Sequence, residues 1–190
     1  MTAAEIGADR LRGILNEVFG GEIGEIVRRH FLTEFAVLFA SSIVDAEKGE
    51  SHLWHCDAGP RDHLKILIYL ARTDGATLIM NRDETVLYQK VGYGFVNGAN
   101  RVEHLEQIAA EHHISCVPTT LCPHPGGAIV FEPTRVLHRG VLAKGKPRRM
   151  LQIGVIPWPH SWDTAFDNMW EFVAGNVGAG FPRMEIQAGT

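Results

Sequence analysis

The stretch SHLWHCDAGPRDHLKILIYL, residues 51–70, contains the two patterns that decide the fold and locate a candidate site. Its second half, HLKILIYL, is an apolar run interrupted only by Lys65, which is typical of a strand buried on both faces. Its first half places His55 and Asp57 one residue apart. Because residues i and i+2 of an extended segment point to the same side, both side chains can reach a single point. The stretch therefore predicts a pair of metal-capable side chains next to a rigid strand.

The rest of the chain predicts a mainly β protein with helices at its N-terminus. Residues 3–31 have helical periodicity, broken at GGEIG. Short strands are predicted at TEFAVLFASSIV, GATLIM, ETVLYQK, AIVFEP and RRMLQIGVIPW, with turn signals about every ten residues. This pattern favours an antiparallel sandwich or barrel. With no repeat or linker in the sequence, we expect a single domain over residues 1–190.

Two further segments interrupt the strands. GYGFVNGAN is rich in glycine and asparagine and is predicted to be a loop. RVEHLEQIAAEHH is predicted to be a helical insert, with Asn100 as N-cap and Glu103 completing a capping-box pattern. A short helix is also predicted from Trp162 to Val173.

Composition excludes several classes of function. The 190 residues carry a formal net charge of -4, which does not favour a nucleic-acid or membrane-surface partner. No apolar run reaches the roughly 18 residues that a membrane span needs, and the N-terminus lacks the apolar core of a signal peptide. The three scattered cysteines do not suggest a disulfide framework. We therefore expect a cytoplasmic protein.

A third metal ligand is predicted at His138, in the segment FEPTRVLHRGV. In an antiparallel roll, this segment can lie beside His55 and Asp57 despite its distance along the chain. Two histidines and one carboxylate on one face, with the other positions open, form the facial triad of non-haem Fe(II) oxygenases. The open positions allow a co-substrate and dioxygen to reach the iron.

Four further residues are candidates for binding a co-substrate. Arg149 opens the strand after His138, and its guanidinium could hold a carboxylate through two parallel hydrogen bonds. Arg148 is the alternative, because a register shift of one residue exchanges the two faces of a strand. Lys65 and Tyr69 share a face of the buried strand and could contact the co-substrate. Otherwise Lys65 forms a structural salt bridge and Tyr69 belongs to the core.

The segments LWHCD, HLKILIYL, TRVLHRG and KPRRMLQIGV together resemble the phytanoyl-CoA dioxygenase-like group of Fe(II)/2-oxoglutarate oxygenases. The resemblance implies a double-stranded β-helix, or jelly roll. It implies iron binding by His55, Asp57 and His138, and binding of the distal 2-oxoglutarate carboxylate by Arg149. The implied reaction is hydroxylation of a small or carrier-bound organic substrate, with dioxygen consumed and succinate and CO2 released.

The sequence departs from that group where relatives show a GP…PGSH segment; here the chain reads DGATLIMNRDET. The substrate therefore cannot be inferred from the resemblance. Few residues remain to build a lid, so we expect either an open pocket or one completed in a homodimer. Two alternatives are a cupin-type metalloenzyme that does not use 2-oxoglutarate and a non-catalytic jelly-roll binding module. His52 is predicted to lie at the surface or behind the metal ligands.

Overall fold

Among residues 1–94 and 100–175, which the computed structural model describes, seven strands form two antiparallel sheets. The strands are β1 (Phe35–Asp45), β2 (Leu64–Tyr69), β3 (Ala76–Ile79), β4 (Thr119–Leu121), β5 (Ala128–Phe131), β6 (His138–Val141) and β7 (Arg148–Pro157). One sheet has the order β1-β7-β2-β5 and the other β4-β3-β6. The prediction of a mainly antiparallel β protein with additional helices is confirmed.

Helices precede, interrupt and follow the strands. They are α1 (Ala3–Ile6), α2 (Ala8–Phe19), α3 (Glu22–Phe31), α4 (Arg82–Lys90), α5 (Glu106–His112) and α6 (Trp162–Gly175). The predicted helical region 3–31 is confirmed, with an additional break at Gly7, whose φ of 85° is readily adopted only by glycine. The predicted C-terminal helix is confirmed as α6. No helix in the described ranges is long and apolar enough to span a bilayer.

The four-stranded sheet separates an apolar layer from a polar pocket. On one face, alternate residues of β2 and β7 pack in a common core with the N-terminal helices and α6; these strand residues are Leu64, Ile66, Ile68, Leu151, Ile153 and Val155. On the opposite face, Lys65, Leu67, Arg148, Met150 and Gln152 line a pocket. The two-residue period of a strand therefore places charged side chains on an otherwise buried sheet without exposing the core.

The segment ETVLYQK is not a strand, as its sequence suggested, but most of α4. Asn81 caps this helix, since its side chain accepts a hydrogen bond of 2.8 Å from the backbone N–H of Glu84. Thr85 and Tyr88, three residues apart, are fully buried. Helical spacing therefore buries both residues on one side, and the cap determines where the helix begins.

The predicted capping box of the helical insert is also wrong. Helix α5 begins at Glu106, with Leu105 at the N-cap position and no side-chain cap. Glu103 instead pairs with Lys48, at 2.6 Å between Oε2 and Nζ. Residues 95–99 of the predicted GYGFVNGAN loop lie outside the described residues. Strands β4 (TTL) and β6 (HRGV) were not predicted, because neither contains a run of apolar residues.

Candidate metal centre

His55 and His138 are brought together by their own backbones. The N–H of His55 donates to the carbonyl of His138 at 3.1 Å, and the N–H of His138 donates back at 2.9 Å. This reciprocal pair forms an isolated antiparallel bridge between the segment before β2 and the first residue of β6. The two imidazole rings consequently lie side by side, with 4.4 Å between their centroids.

Both imidazoles are held with Nε2 directed at the same point. Nδ1 of His55 lies 2.7 Å from the carbonyl oxygen of Leu53, and Nδ1 of His138 lies 3.1 Å from that of Val136. A carbonyl oxygen can only accept, so Nδ1 carries the proton in each ring. The lone pair of each neutral imidazole is then on Nε2, as metal binding requires.

Asp57 completes the group from the same segment as His55. Its Oδ1 lies 3.3 Å from Nε2 of His55 and 3.4 Å from Nε2 of His138. The backbone N–H of Asp57 donates to the carbonyl of Pro133 at 2.8 Å, which fixes the carboxylate opposite the turn before β6. The candidate ligand atoms of the three residues all lie within 4.8 Å of one another. The structure therefore places the side chains of His55 and Asp57 on the same side, as expected.

The charge state of these groups favours a bound cation. Burial lowers the pKa of His138 to about 4, although Asp57 partly opposes this effect, so the imidazole is neutral at pH 7. Burial alone would raise the pKa of Asp57, but the charge of Lys65, which contacts Oδ2, opposes this effect and favours the ionised carboxylate. Nε2 of His138 is buried and has no hydrogen-bond partner among the described residues.

A divalent metal ion at this point would remove the repulsion between the three side chains. Two imidazole lone pairs and a carboxylate oxygen face one point, where three acceptors without a proton would otherwise repel one another. Two nitrogens and one oxygen on one face are the donor set that non-haem Fe(II) enzymes use. The residues present therefore fit an iron ion bound by His55, Asp57 and His138.

Lys65 forms an ion pair with Asp57, on the side of the carboxylate away from the histidines. Its Nζ contacts Oδ2 of Asp57, whereas the histidines face Oδ1. Lys65 is 8% exposed and lines the pocket. A buried lysine needs a partner, and Asp57 supplies one.

Arg148, and not Arg149, faces the pocket. Arg148 is 3% exposed and lies on the same strand face as Met150, whereas Arg149 is exposed on the other face. The expectation that Arg149 reaches into the fold is corrected here: β7 pairs Asp45 with Arg148 and Val44 with Arg149, and this register sets which arginine points inward.

The guanidinium of Arg148 is held from two sides. Its Nε donates to Oδ2 of Asp45 at 2.8 Å, and Nη2 contacts the same oxygen. Its Nη1 donates to the carbonyl of Ala76 at 2.8 Å and to the hydroxyl of Thr77 at 3.1 Å. Of the five N–H groups of a guanidinium, one on Nη2 remains for a ligand.

Asp45 is a site residue that sequence reasoning did not identify, and its partner His52 was predicted to lie either at the surface or behind the metal ligands. The N–H of Gly49 donates to Nδ1 of His52 at 2.9 Å, so His52 carries its proton on Nε2, 3.0 Å from Oδ1 of Asp45. His52 is 3% exposed, which corrects a surface location and agrees with a place behind the ligands. Asp45 ends β1 with no motif around it, so only strand pairing indicates its role.

Tyr69 lies behind the pocket wall and is fully buried. Its hydroxyl lies 2.9 Å from the hydroxyl of Thr77, which accepts from Arg148. Tyr69 thus contacts Arg148 through Thr77 and does not itself line the pocket. The interpretation of Tyr69 as a core residue fits this position.

Arg139 and Gly140, which follow His138 in the HRG segment, both line the pocket. A Cβ at position 140 would overlap Nη2 of Arg148, so glycine is needed for the guanidinium to lie there. Arg139 donates to the carbonyl of Glu103 at 2.7 Å and lies 5.9 Å from the ring centre of Trp54. Arg139 therefore closes one side of the pocket while joining it to the helical insert.

Comparisons with known proteins find likeness in structure only. No family model matches the chain, and no curated protein matches it in sequence. Among solved structures, it is similar to the non-heme alpha-ketoglutarate-dependent epimerase SnoN of nogalamycin biosynthesis, with TM-score 0.54 and 13% identity over 83% of this chain and 61% of that chain. It is also similar to SnoN in complex with Fe3+, alpha-ketoglutarate and nogalamycin RO, with TM-score 0.53 and 10% identity over 83% and 62%.

The carbocyclase SnoK from the same pathway, also non-heme and alpha-ketoglutarate dependent, has TM-score 0.50 and 15% identity over 76% of this chain and 59% of that chain. At these identities the likeness shows the fold, which is that of non-heme iron, alpha-ketoglutarate-dependent enzymes. The chain spans about three fifths of the length of SnoN and SnoK.

Proposed function

We propose that the protein is a non-haem Fe(II)- and 2-oxoglutarate-dependent oxygenase. The observation that carries this proposal is the convergence of His55 Nε2, His138 Nε2 and Asp57 Oδ1 beside a pocket that is lined by both histidines and by cationic side chains. The likeness in fold to SnoN and SnoK supports the same assignment. A cupin-type metalloenzyme without 2-oxoglutarate would need no buried arginine, so Arg148 favours the oxygenase.

Each residue of the site then has a separate role. His55, Asp57 and His138 would hold Fe(II) on one face, and the carbonyls of Leu53 and Val136 keep both imidazoles in the required tautomer. When bound, iron, 2-oxoglutarate and dioxygen supply an oxidative decarboxylation that yields succinate and CO2 and oxidises the substrate.

Arg148 would hold the far carboxylate of 2-oxoglutarate. It contributes its charge and the one free N–H on Nη2, while Asp45 and Thr77 keep the guanidinium in place. A charge-assisted hydrogen bond of this kind is stronger than a neutral one. Arg149 is on the wrong face for this role, and Tyr69 acts only through Thr77.

We extend the proposal to the finer classification. The two antiparallel sheets form a double-stranded β-helix, and residues 1–190 form a single domain of the phytanoyl-CoA dioxygenase-like group. The motifs LWHCD and TRVLHRG, which contain the three proposed iron ligands, support this grouping. We further propose a cytoplasmic location, on the evidence of the three free cysteines.

The proposed substrate is a small or carrier-bound organic molecule, and hydroxylation is the proposed outcome. SnoN is an epimerase and SnoK a carbocyclase, so alpha-ketoglutarate-dependent enzymes of this fold also catalyse reactions other than hydroxylation. A homodimer could complete the pocket. Light scattering that finds a monomer at working concentration would remove the dimer from this proposal.

An anaerobic titration tests the function directly. Fe(II) and 2-oxoglutarate added together should produce the weak visible charge-transfer band of the chelate, which neither reagent should give alone. The band should vanish in His138→Ala and in Asp57→Ala. A protein that binds Fe(II) without developing the band would instead support the cupin-type alternative. A protein that binds no metal would support the non-catalytic module.

A further inference from the structure

The carboxylate of Asp57 is contacted on both sides, by groups of opposite character. Oδ1 faces the two Nε2 atoms, at 3.3 and 3.4 Å. Oδ2 contacts the ammonium group of Lys65. One oxygen is therefore directed at the proposed metal position, and the other is occupied by a protein cation.

Lys65 is held in this position by the sheet. It lies in the middle of the four-stranded sheet, paired with Phe131 on β5 and with Gly154 on β7. Because β2 is paired on both sides here, the backbone of Lys65 cannot move without disrupting its pairing with both β5 and β7. Its side chain is buried among pocket residues, and Asp57 is the carboxylate to which it is ion-paired.

We propose that Lys65 is a positioning residue that restricts Asp57 to binding the metal through Oδ1 alone. This inference rests on the proposed function. If three protein atoms held the ion on one face, its other positions would stay open for 2-oxoglutarate and dioxygen. A carboxylate that bound through both oxygens would take one of these positions. Because Lys65 holds Oδ2 in an ion pair, all of these positions stay open.

The same contact gives Lys65 a second effect, on metal affinity. Before metal binds, its charge compensates the buried carboxylate, which would otherwise be costly to keep ionised. With a metal bound by Asp57, the ammonium group of Lys65 would lie close to a dication and would oppose its binding electrostatically. The protein thus gives up metal affinity in exchange for open coordination positions. Loss of the charge at position 65 should therefore tighten metal binding.

The test uses Mn(II) alone, without 2-oxoglutarate, on wild type, Lys65→Met and Lys65→Arg. Calorimetry gives the Kd, and nuclear relaxation of the solvent gives the number of exchangeable waters on the bound ion. We expect Lys65→Met to bind Mn(II) at least about threefold more tightly and with one water fewer than wild type. Lys65→Arg keeps the charge and should resemble wild type. Gln152→Met, which alters the same pocket wall away from Asp57, is the matched control.

The outcomes separate this inference from the proposed function. If wild type binds no Mn(II), the metal centre itself is wrong. If wild type binds Mn(II) but Lys65→Met has unchanged or weaker affinity and the same number of waters, Lys65 does not restrict Asp57 and the inference fails. The metal-free Lys65→Met protein should also melt at a lower temperature than wild type, with the difference reduced by Mn(II). A melting temperature that stays equally low with Mn(II) would likewise contradict the inference.

Discussion

At the scale of single residues, the site depends on which face of β7 carries an arginine. The sequence offers two adjacent arginines, and nothing local distinguishes them. The pairing of Asp45 with Arg148 turns that residue inward, where Asp45, Ala76 and Thr77 bind its guanidinium. The same pairing leaves Arg149 exposed. A difference of one position in register thus separates a pocket residue from a surface residue.

The two arginines form a natural pair of variants for co-substrate binding. Arg148→Gln should weaken binding of 2-oxoglutarate to the Fe(II) protein by about ten- to a hundredfold, because a charge-assisted hydrogen bond is worth about 1.5–3 kcal/mol. Arg149→Gln should bind as wild type does. The measurement is the charge-transfer band followed against 2-oxoglutarate concentration under anaerobic conditions.

Arg148→Gln also removes one of the two partners of Asp45 and leaves only His52, so its fold must be checked by circular dichroism. Arg148→Lys keeps the charge and should lose less affinity than Arg148→Gln. A loss of binding in Arg149→Gln with none in Arg148→Gln would reverse the assignment.

At the scale of elements, β6 in one sheet and the start of β7 in the other supply a proposed metal ligand, the close approach at Gly140 and Arg148 itself. Gly140 lies directly against the guanidinium, and a side chain there would overlap Nη2. An overlap with the end of a long side chain is usually relieved by a rotation. Here the guanidinium is pinned by four hydrogen bonds, so the rotation would break them.

Gly140→Ala should therefore lower the free energy of unfolding by about 1–3 kcal/mol, the usual cost of overpacking. It should also weaken 2-oxoglutarate binding while leaving Mn(II) binding intact. Gly145→Ala, in the connection between β6 and β7, is the control, because a Cβ there would make only an ordinary contact with Asp74. Chemical denaturation and calorimetry are the measurements. Equal stability of the two variants would show that Arg148 moves freely.

Asp74 joins the β2–β3 turn to the β6–β7 turn. Its Oδ1 accepts from the N–H of Lys146 at 2.8 Å, and its Oδ2 accepts from those of Gly145 and Lys144 at 3.0 and 3.2 Å. These backbone hydrogen bonds, chiefly that of Lys146, lower the pKa of Asp74 from its usual value. The ionised form is thus favoured in the folded protein.

The stability from this contact should be present above the pKa of an unfolded aspartate, about 3.9, and should be lost as pH falls through the lower folded value. Asp74→Asn should unfold at a lower urea concentration than wild type at pH 6, and the gap should narrow towards pH 2.5. Urea midpoints measured across this range provide the test. A gap that stays constant with pH would mean that the charge of Asp74 is not what stabilises the turn.

At the scale of the whole molecule, the proposed metal joins parts of the chain that are remote in sequence. His55 and Asp57 come from the segment before β2, and His138 begins β6 in the other sheet. The backbone bridge between His55 and His138 already connects these parts. A metal ion would bind them further, and only in the folded state.

Binding of a ligand to the folded state alone stabilises it by about 2.7 kcal/mol at a hundred times Kd. We therefore expect Mn(II) to raise the melting temperature of the wild type and a chelator to reverse the change. His138→Ala should show no such rise, and Arg149→Gln should show the full rise. A rise that persists in His138→Ala would place the bound metal elsewhere.

Reading the sequence alone predicted the strand that supports the site, the proposed ligand pair His55 and Asp57, and the third proposed ligand, His138. The strand and the pair follow from local rules, since burial selects apolar runs and the two-residue period places i and i+2 on one side. His138 was predicted from the expected antiparallel roll and the resemblance of TRVLHRG to a known family. The sequence was misleading at ETVLYQK, where strand propensity gave way to a capped helix that buries Thr85 and Tyr88.

Strand register and the partners of the buried charges depend on contacts between distant parts of the chain, which local sequence rules do not predict. Strand register chose Arg148 over Arg149, and the same register brought Asp45 against Arg148, 103 positions along the chain. Packing turned His52 inward and gave Lys65 its partner, Asp57. The physical reason is that a buried charge needs a partner, while the sequence identifies the charge and only the folded chain brings the partner to it.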